Sequence, residues 1–373
     1  MKITFIHAGL RNYRNYLFNR LSKEFDIEFL IYGGKVVYES KDEWLDERKN
    51  WKFEILNSFP FLGYSFFAPS LLWKPLKYDV IISSDPSSFA THISFLLAKI
   101  FRKKFILWGE TWIWPKTIAA RLIYPYVKFI VRHSDACIAA GSKSKEFFEG
   151  LGQKNVFIAP NCSLDPSEKV DMNRVDELRK KYHLSGKKVV LYIGRIVKYK
   201  GLDVLIKSYS HIEKEMDDTV LLVVGSGDYR PECESMVKKM GLHSVRFIDW
   251  VPADEVQNYY ALSDVFVLPT RFRMEDIVPA ESWGMTVNEA MHVGVPVLIT
   301  TAVASGFDLV EDGVNGYMVK AGDADELYVR LRLVLSDKEI ISRMRKESKK
   351  IVSERCTYDK MFEGFREAIE KVT

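Results

Sequence analysis

The strongest constraint on this chain is an alternation that runs almost its whole length: a short apolar, β-branched run, then a stretch of helical spacing, then the next run. In the first half the runs are KITFIHA, DIEFLIY, YDVIISS, KFILWG, DACIAA and NVFIAP. Strands of this kind, separated by helices, predict a parallel sheet with crossover helices on both faces. After Asn161 the segment CSLDPSEKVDMNRVDELRKKYHLSGKK is polar and is broken by Pro166 and Gly186, and the apolar runs stop. They restart with KVVLYIG, TVLLVVG, VRFIDW, DVFVLPT and PVLITT. A chain of 373 residues is also longer than one hydrophobic core comfortably serves. The expectation is two α/β domains facing a cleft: residues 1–165, a linker over 166–186, and residues 187–356. In the tail, Tyr358, Met361, Phe362, Phe365 and Ile369 fall at helical spacing and predict a final helix over 357–373 with one apolar stripe that must dock.

Composition excludes several classes. Hydrophobic residues at 47% and charged residues at 28% fit a globular protein rather than a disordered one. Cys137, Cys162, Cys233 and Cys356 form no CxxC pair, which argues against a zinc knuckle, a redox motif or a disulfide scaffold and predicts packed, reduced thiols. The opening MKITFIHAGLRNYR begins a strand at once and lacks a signal-peptide core, so a cytoplasmic location is expected and the Asn161-Cys162-Ser163 sequon is expected to go unused. A net charge of +4 is too small to make nucleic acid the main partner. That charge is uneven, however. Between Arg102 and Arg132 there are seven basic residues and one acid, Glu110, interleaved with Trp108, Trp112, Trp114, Tyr124, Tyr126 and Phe129. Two readings fit: peripheral contact with the anionic inner face of the plasma membrane, or a helix whose lysines and arginines snorkel from a buried face into solvent.

Ligands of open parallel sheets collect beyond the carboxyl ends of the strands, so the loops there were searched. KVVLYIG is followed by Arg195 and Lys200 flanking a helix start, a pair suited to a diphosphate or to a solvated basic turn. TVLLVVG is followed by Gly225-Ser226-Gly227-Asp228-Tyr229-Arg230, where Arg230 replaces the third glycine of a dinucleotide fingerprint. Gly225 and Gly227 serve either a tight turn or close backbone approach to a ligand. Glu281 and Glu289 bracket Ser282-Trp283-Gly284-Met285-Thr286. Their carboxylates suit vicinal sugar hydroxyls, and the amides at Gly284, Met285 and Thr286 suit an anion. Thr286 and Glu289 also read as a capping box, and Trp283 as a core residue.

Taken together, YIGRIVKYKGLDVLI, LSDVFVLPT, ESWGMTVNEAMHVGVPVLIT and DLVEDGVNGYMV resemble the retaining glycosyltransferases of family four, also called glycosyl transferases group one, which have the GT-B architecture. The resemblance implies two Rossmann-like domains, a final helix crossing back to the N-terminal one, and a nucleoside-diphosphate-sugar as donor, with no cofactor. It assigns Arg195 and Lys200 to the diphosphate, Glu281 to the transferred sugar, Glu289 to the ribose, and the amides of Gly284, Met285 and Thr286 to phosphate. Trp283 and Gly225 stand beside them, and Phe247 to Pro252 would line the base. In the N-terminal domain Gly9 matches the early family turn. Where many members have a histidine, this chain reads Gly109-Glu110-Thr111, so Glu110 is a candidate sugar or acceptor contact or a plain helix cap. The implied reaction retains anomeric configuration and needs no metal, and the expectation is that no strand-end loop carries a D-x-D carboxylate motif. The acceptor would be a saccharide or lipid-linked hydroxyl, in cell-surface polysaccharide or glycolipid synthesis. The rival readings are a sugar-nucleotide epimerase and a catalytically silent nucleotide-sugar-binding partner subunit.

Overall fold

The computed structural model describes residues 1–9, 12–33, 51–61, 65–272 and 281–373. Leu10 of the early turn and residues 273–280 of the glutamate-bearing run lie outside the described residues.

The chain divides into two units, Met1–Cys162 with Thr357–Thr373, and Ser163–Cys356. In the first, the strands are β1 Ile3–Ala8, β2 Ile27–Tyr32, β3 Lys52–Ile55, β4 Phe59–Phe61, β5 Ser65–Phe67, β6 Val80–Ser84, β7 Lys104–Gly109, β8 Ala136–Ala139 and β9 Val156–Ile158. The main sheet has the order β3-β2-β1-β6-β7-β8-β9, and every pairing is parallel. β4 and β5 form a separate antiparallel pair. In the second unit the strands are β10 Lys188–Ile193, β11 Thr219–Val224, β12 Val245–Ile248, β13 Val265–Leu268, β14 Val297–Thr300 and β15 Gly316–Val319. Their order, β12-β11-β10-β13-β14-β15, is likewise all parallel. It is the doubly wound Rossmann order, reversing direction between β10 and β13. The first sheet reverses in the same way between β1 and β6.

Both sheets are buried on their two faces, as their continuous apolar runs require. Residues of β10, β11 and β13 are nearly all shielded, and Tyr192, Tyr209, Tyr260 and Phe266 fill the space between strands and helices of the second unit. The stretch expected as a linker instead carries the helix Met172–Lys181, capped by Asp171 and burying Val175 and Leu178, and it belongs to the second unit. The final helix, Tyr358–Val372, buries Met361, Phe362, Phe365, Ala368 and Ile369, and belongs to the first unit. Phe365 packs against Phe5 at 5.6 Å, and the Tyr358 hydroxyl donates to the Tyr13 carbonyl at 2.7 Å. None of the four cysteines is in a disulfide, and all are buried. Among the described residues no helix is long and apolar enough to cross a membrane, and no three acidic, His or Cys side chains form a metal cluster.

Candidate active site

A reversal of strand order separates the loops that leave neighbouring strands and opens a crevice at their carboxyl ends. In the second unit that place lies between β10 and β13. β10 runs out through Gly194 into Arg195, and the loop is fixed from below: the Tyr192 hydroxyl donates to the Arg195 carbonyl at 2.8 Å, and the Ile196 amide to the Ser226 carbonyl at 2.8 Å. The Arg195 side chain remains exposed, its guanidinium donating to the Tyr199 hydroxyl at 2.8 Å. Lys200 closes a single 3-10 turn, after which Gly201 starts the helix Leu202–Glu215. A Cβ at Gly201 would stand 1.9 Å from the Pro269 carbonyl oxygen, so the loops after β10 and β13 pass in backbone contact. Across that contact the Lys200 ammonium donates to Glu281, with 12% and 22% of the two side chains exposed. Topology thus joins two sequence-predicted residues 81 positions apart.

Glu281 is held by its own backbone. Its amide donates to the Ala302 carbonyl at 3.0 Å, and its carbonyl accepts from Ala304 at 3.3 Å. Of the two readings of Trp283, the structure shows packing: the side chain is 3% exposed, and its indole N–H donates to Asn288 Oδ1 at 3.1 Å, whose amide in turn donates to Cys356 Sγ at 3.2 Å. Gly284 has φ +96°, and a Cβ there would lie 3.0 Å from Val303 Cγ1, so only glycine makes this turn without strain. It caps the helix Met285–Val293, which begins with no side-chain cap. The capping box is therefore absent: with Gly284 as N-cap, Thr286 is already inside the first turn. Glu289 accepts a hydrogen bond from the Tyr260 hydroxyl at 3.0 Å. Burial pushes the Glu289 carboxyl above its ordinary range, and the Tyr260 bond only partly opposes this.

The absence of a cap at Met285 is part of a pattern. The helices that follow β10 through β14, starting at Leu202, Arg230, Val256, Met285 and Gly306, all begin without a side-chain cap. Those starting at Met172, Ala324 and Lys338 are each capped by an aspartate. Side-chain caps satisfy the first amides of a helix; where they are missing, those amides and the positive end of the helix dipole face the carboxyl edge of the sheet and suit an anion. The triplet Asp323-Ala324-Asp325 is accounted for in the same way, since the Asp323 side chain accepts from the Glu326 amide at 2.9 Å.

Gly225 is explained by the neighbouring loop. A Cβ there would fall 2.0 Å from the Gly194 carbonyl oxygen, and Arg230, in the place of the missing glycine, pairs with Glu234 and Asp249. Phe247 to Pro252 line a pocket of about 450 Å³ together with Arg174, Tyr182 and Tyr259. Sequence reading missed Arg271. Its amide donates to the Tyr199 carbonyl at 2.8 Å, and its guanidinium pairs with the buried Asp203, adding a cation where the two loops meet. Its only sequence signal was a position just past β13.

In the first unit, Gly9 follows β1 and donates its amide to the Tyr32 carbonyl at 2.8 Å. Its carbonyl meets His7 Nδ1 at 2.9 Å, and the His7 ring stacks on Trp108. Glu110 follows β7 and caps no helix. It accepts from the buried Arg14 at 2.8 Å, while the other terminal nitrogen of that guanidinium donates to Asn161 Oδ1 at 2.8 Å.

Residues 174–351 match the family described as glycosyl transferases group 1. Over 161 residues the chain is 31% identical to the GDP-mannose-dependent alpha-(1-6)-phosphatidylinositol monomannoside mannosyltransferase of Mycolicibacterium smegmatis, covering 43% of this chain and 42% of that relative. It is 24% identical to an uncharacterized glycosyltransferase of Haemophilus influenzae over 93% of this chain and 92% of the relative. In three dimensions it is similar to Anabaena HepE, solved in complex with UDP, with a TM-score of 0.81 at 19% identity over 99% of this chain and 100% of the other. The fold is GT-B, and residues 174–351, just under half of the chain, match the glycosyl transferases group 1 family.

Proposed function

We propose that this chain transfers a sugar from a nucleoside-diphosphate-sugar to a hydroxyl of a saccharide or lipid-linked acceptor, with retention of anomeric configuration. The observation that carries this reading is the meeting of Lys200 with Glu281 beside Arg195 and the uncapped start of Met285–Val293, at the point where the second sheet reverses. A departing nucleoside diphosphate gathers negative charge as the bond from sugar C1 to phosphate oxygen breaks. Arg195 and the Met285 and Thr286 amides are donors that receive that charge, joined by Lys200 once it leaves Glu281. Each such donor is worth roughly 2.7 to 4 kcal/mol in a transition state.

Glu281 accepts hydrogen bonds from hydroxyls of the transferred sugar, and Lys200 turns from it toward phosphate when donor binds. Glu289 takes the ribose hydroxyls, and the base lies against Phe247 to Pro252. The acceptor oxygen forms its bond to C1 on the face the phosphate leaves, and a phosphate oxygen takes the acceptor proton. Charge on the leaving group is met by protein cations and amides, so no metal is required and chelator leaves turnover unchanged. The first unit holds the acceptor, with Gly9 and Glu110 at the carboxyl edge of its sheet. The pathway is cell-surface polysaccharide or glycolipid synthesis at the cytoplasmic face, and relatives named as phosphatidylinositol monomannoside mannosyltransferases support a glycolipid acceptor.

A thermal-shift panel of nucleoside diphosphates and their sugars tests the donor reading. A ligand at 100 times its dissociation constant stabilises by about 2.7 kcal/mol. The matching nucleotide should raise the midpoint of the parent chain but not of Arg195→Ala. A panel without any shift counts against the proposal.

A further inference from the structure

The helix Ile118–His133 has two apolar faces, and only one is covered. Val127, Ile130 and Val131 are buried in the core of the first unit, with Ile123 and Tyr124 packed against it. On the opposite side Ile118 is 79% exposed, Leu122 78% and Phe129 49%, with Tyr126 beside them. Spacings of four, seven and eleven residues place these side chains in one row along the helix. Arg121, Lys128 and Arg132, at i, i+7 and i+11, make a second row flanking the first, and all three are exposed. The surface continues onto the neighbouring helix Phe89–Ile100, which touches this one through His92 against Tyr126 and Phe95 against Phe129. There Leu96 and Ile100 are exposed, followed by exposed Phe101 and Arg102. From Pro86 to Ser134 the sequence contains a single acid, Glu110.

We infer that this face seats the protein on an anionic lipid bilayer, with the apolar row in the boundary between headgroups and chains and the cationic row on the headgroup phosphates. Charge selects this occupant. A second copy of the same face would bring like-charged rows together, whereas an anionic bilayer supplies both the missing charge and an apolar layer of matching depth. Arg121, Lys128 and Arg132 stay exposed on the flank of the open apolar row, while Val127, Ile130 and Val131 fill the buried side of the helix. The segment from Glu110 to Thr117 leads from the carboxyl end of β7 to the start of this helix. A lipid-borne acceptor would reach the Arg14–Glu110 corner directly from the membrane surface. The docking face itself does not depend on the donor reading.

Sedimentation of the full chain with vesicles tests it without any activity assay. Vesicles containing phosphatidylglycerol in phosphatidylcholine should carry the protein down, phosphatidylcholine alone should not, and salt should weaken the binding. Each surface cation near such a membrane contributes about a fivefold factor in partitioning. Arg121→Glu with Lys128→Glu should therefore lower binding at least 25-fold on the order of that factor squared. Leu122→Ser with Ile118→Ser should also release the protein. These side chains are exposed, so thermal midpoints should stay at the parent value, and nucleotide binding should be unchanged. Equal binding to neutral vesicles, no binding to anionic ones, or unaltered binding by the variants would overturn the inference. So would a dimer in solution that Leu122→Ser dissociates, since that would make a second copy the occupant.

Discussion

The two sheets of this molecule reverse strand order in the same way, yet their reversal points are chemically unlike. In the second unit the exposed Arg195, the part-buried pair of Lys200 with Glu281, and a helix start without a side-chain cap share one edge. In the first unit the corresponding edge is filled by its own side chains: the His7 ring lies on Trp108, and the Arg14 guanidinium, 3% exposed, is taken up by Glu110 and Asn161. The same topology thus leaves an exposed cation and a helix start without a side-chain cap at one edge, and a largely buried polar cluster around Arg14 at the other. Topology supplies the crevice, and the side chains decide what enters it.

That contrast can be broken by mutation. Arg195→Ala and Lys200→Ala should each cost about 2.7 to 4 kcal/mol in the transfer barrier, on the order of a hundred- to a thousand-fold in turnover. Arg195 is exposed, so Arg195→Ala should unfold within roughly 0.5 kcal/mol of the parent. Steady-state rates and denaturant unfolding on the same samples check both. Glu110→Ala should do the reverse and act mainly on stability. It leaves the Arg14 cation buried with Asn161 as a remaining acceptor, and because Glu110 is itself part-exposed the loss should be about 1.5 to 3 kcal/mol, the range for a hydrogen bond to a charged group. An unchanged unfolding midpoint would show that the first-unit cluster is not the closed network described.

Gly284→Ala sharpens the comparison at the backbone. Forcing a Cβ into left-handed conformation costs about 1 to 2 kcal/mol, and here it also meets Val303. Denaturant unfolding should show that loss, and calorimetry should show weaker nucleotide binding as the helix start shifts. The smallest effect concerns Glu289. Burial raises its folded pKa above the ordinary value of 4.5, so the folded state holds its proton longer than the unfolded state does. Its contribution to stability therefore falls as pH rises from that value through the raised one, and is flat beyond. Glu289→Gln keeps a partner for Tyr260 and should remove this slope from a pH series of unfolding midpoints; an unaltered slope would place its origin elsewhere.

Much of the fold was legible because it rests on local pattern. Each apolar run named from the sequence is a strand, and the apolar stripe from Met361 to Ile369 is a docked helix. β3, β4, β5 and β15 were missed because KFEI, FPF, SFF and GYMV are only three or four residues long, and KFEI has no continuous apolar run. The helix Met172–Lys181 was read as linker because only Val175 and Leu178 are buried, too few to show a period among charged neighbours.

Within the site, the individual side chains were legible and their partners were not. Lys200 finds Glu281, and Asp203 finds Arg271, only because β10 and β13 are adjacent in the sheet. The Thr286–Glu289 capping box failed because a left-handed glycine two residues before Thr286 had already started the helix. At Gly225 the tightness of the loop was legible, but not that the Gly194 carbonyl is what it is tight against.

The central claim is the position of the diphosphate, and a crystal soaked with a nucleoside-diphosphate-sugar tests it most directly. Density for the two phosphates should lie within hydrogen-bond distance of Arg195, Lys200 and the amides of Met285 and Thr286. Phosphates bound in any other place, with Lys200 still on Glu281, would contradict the account.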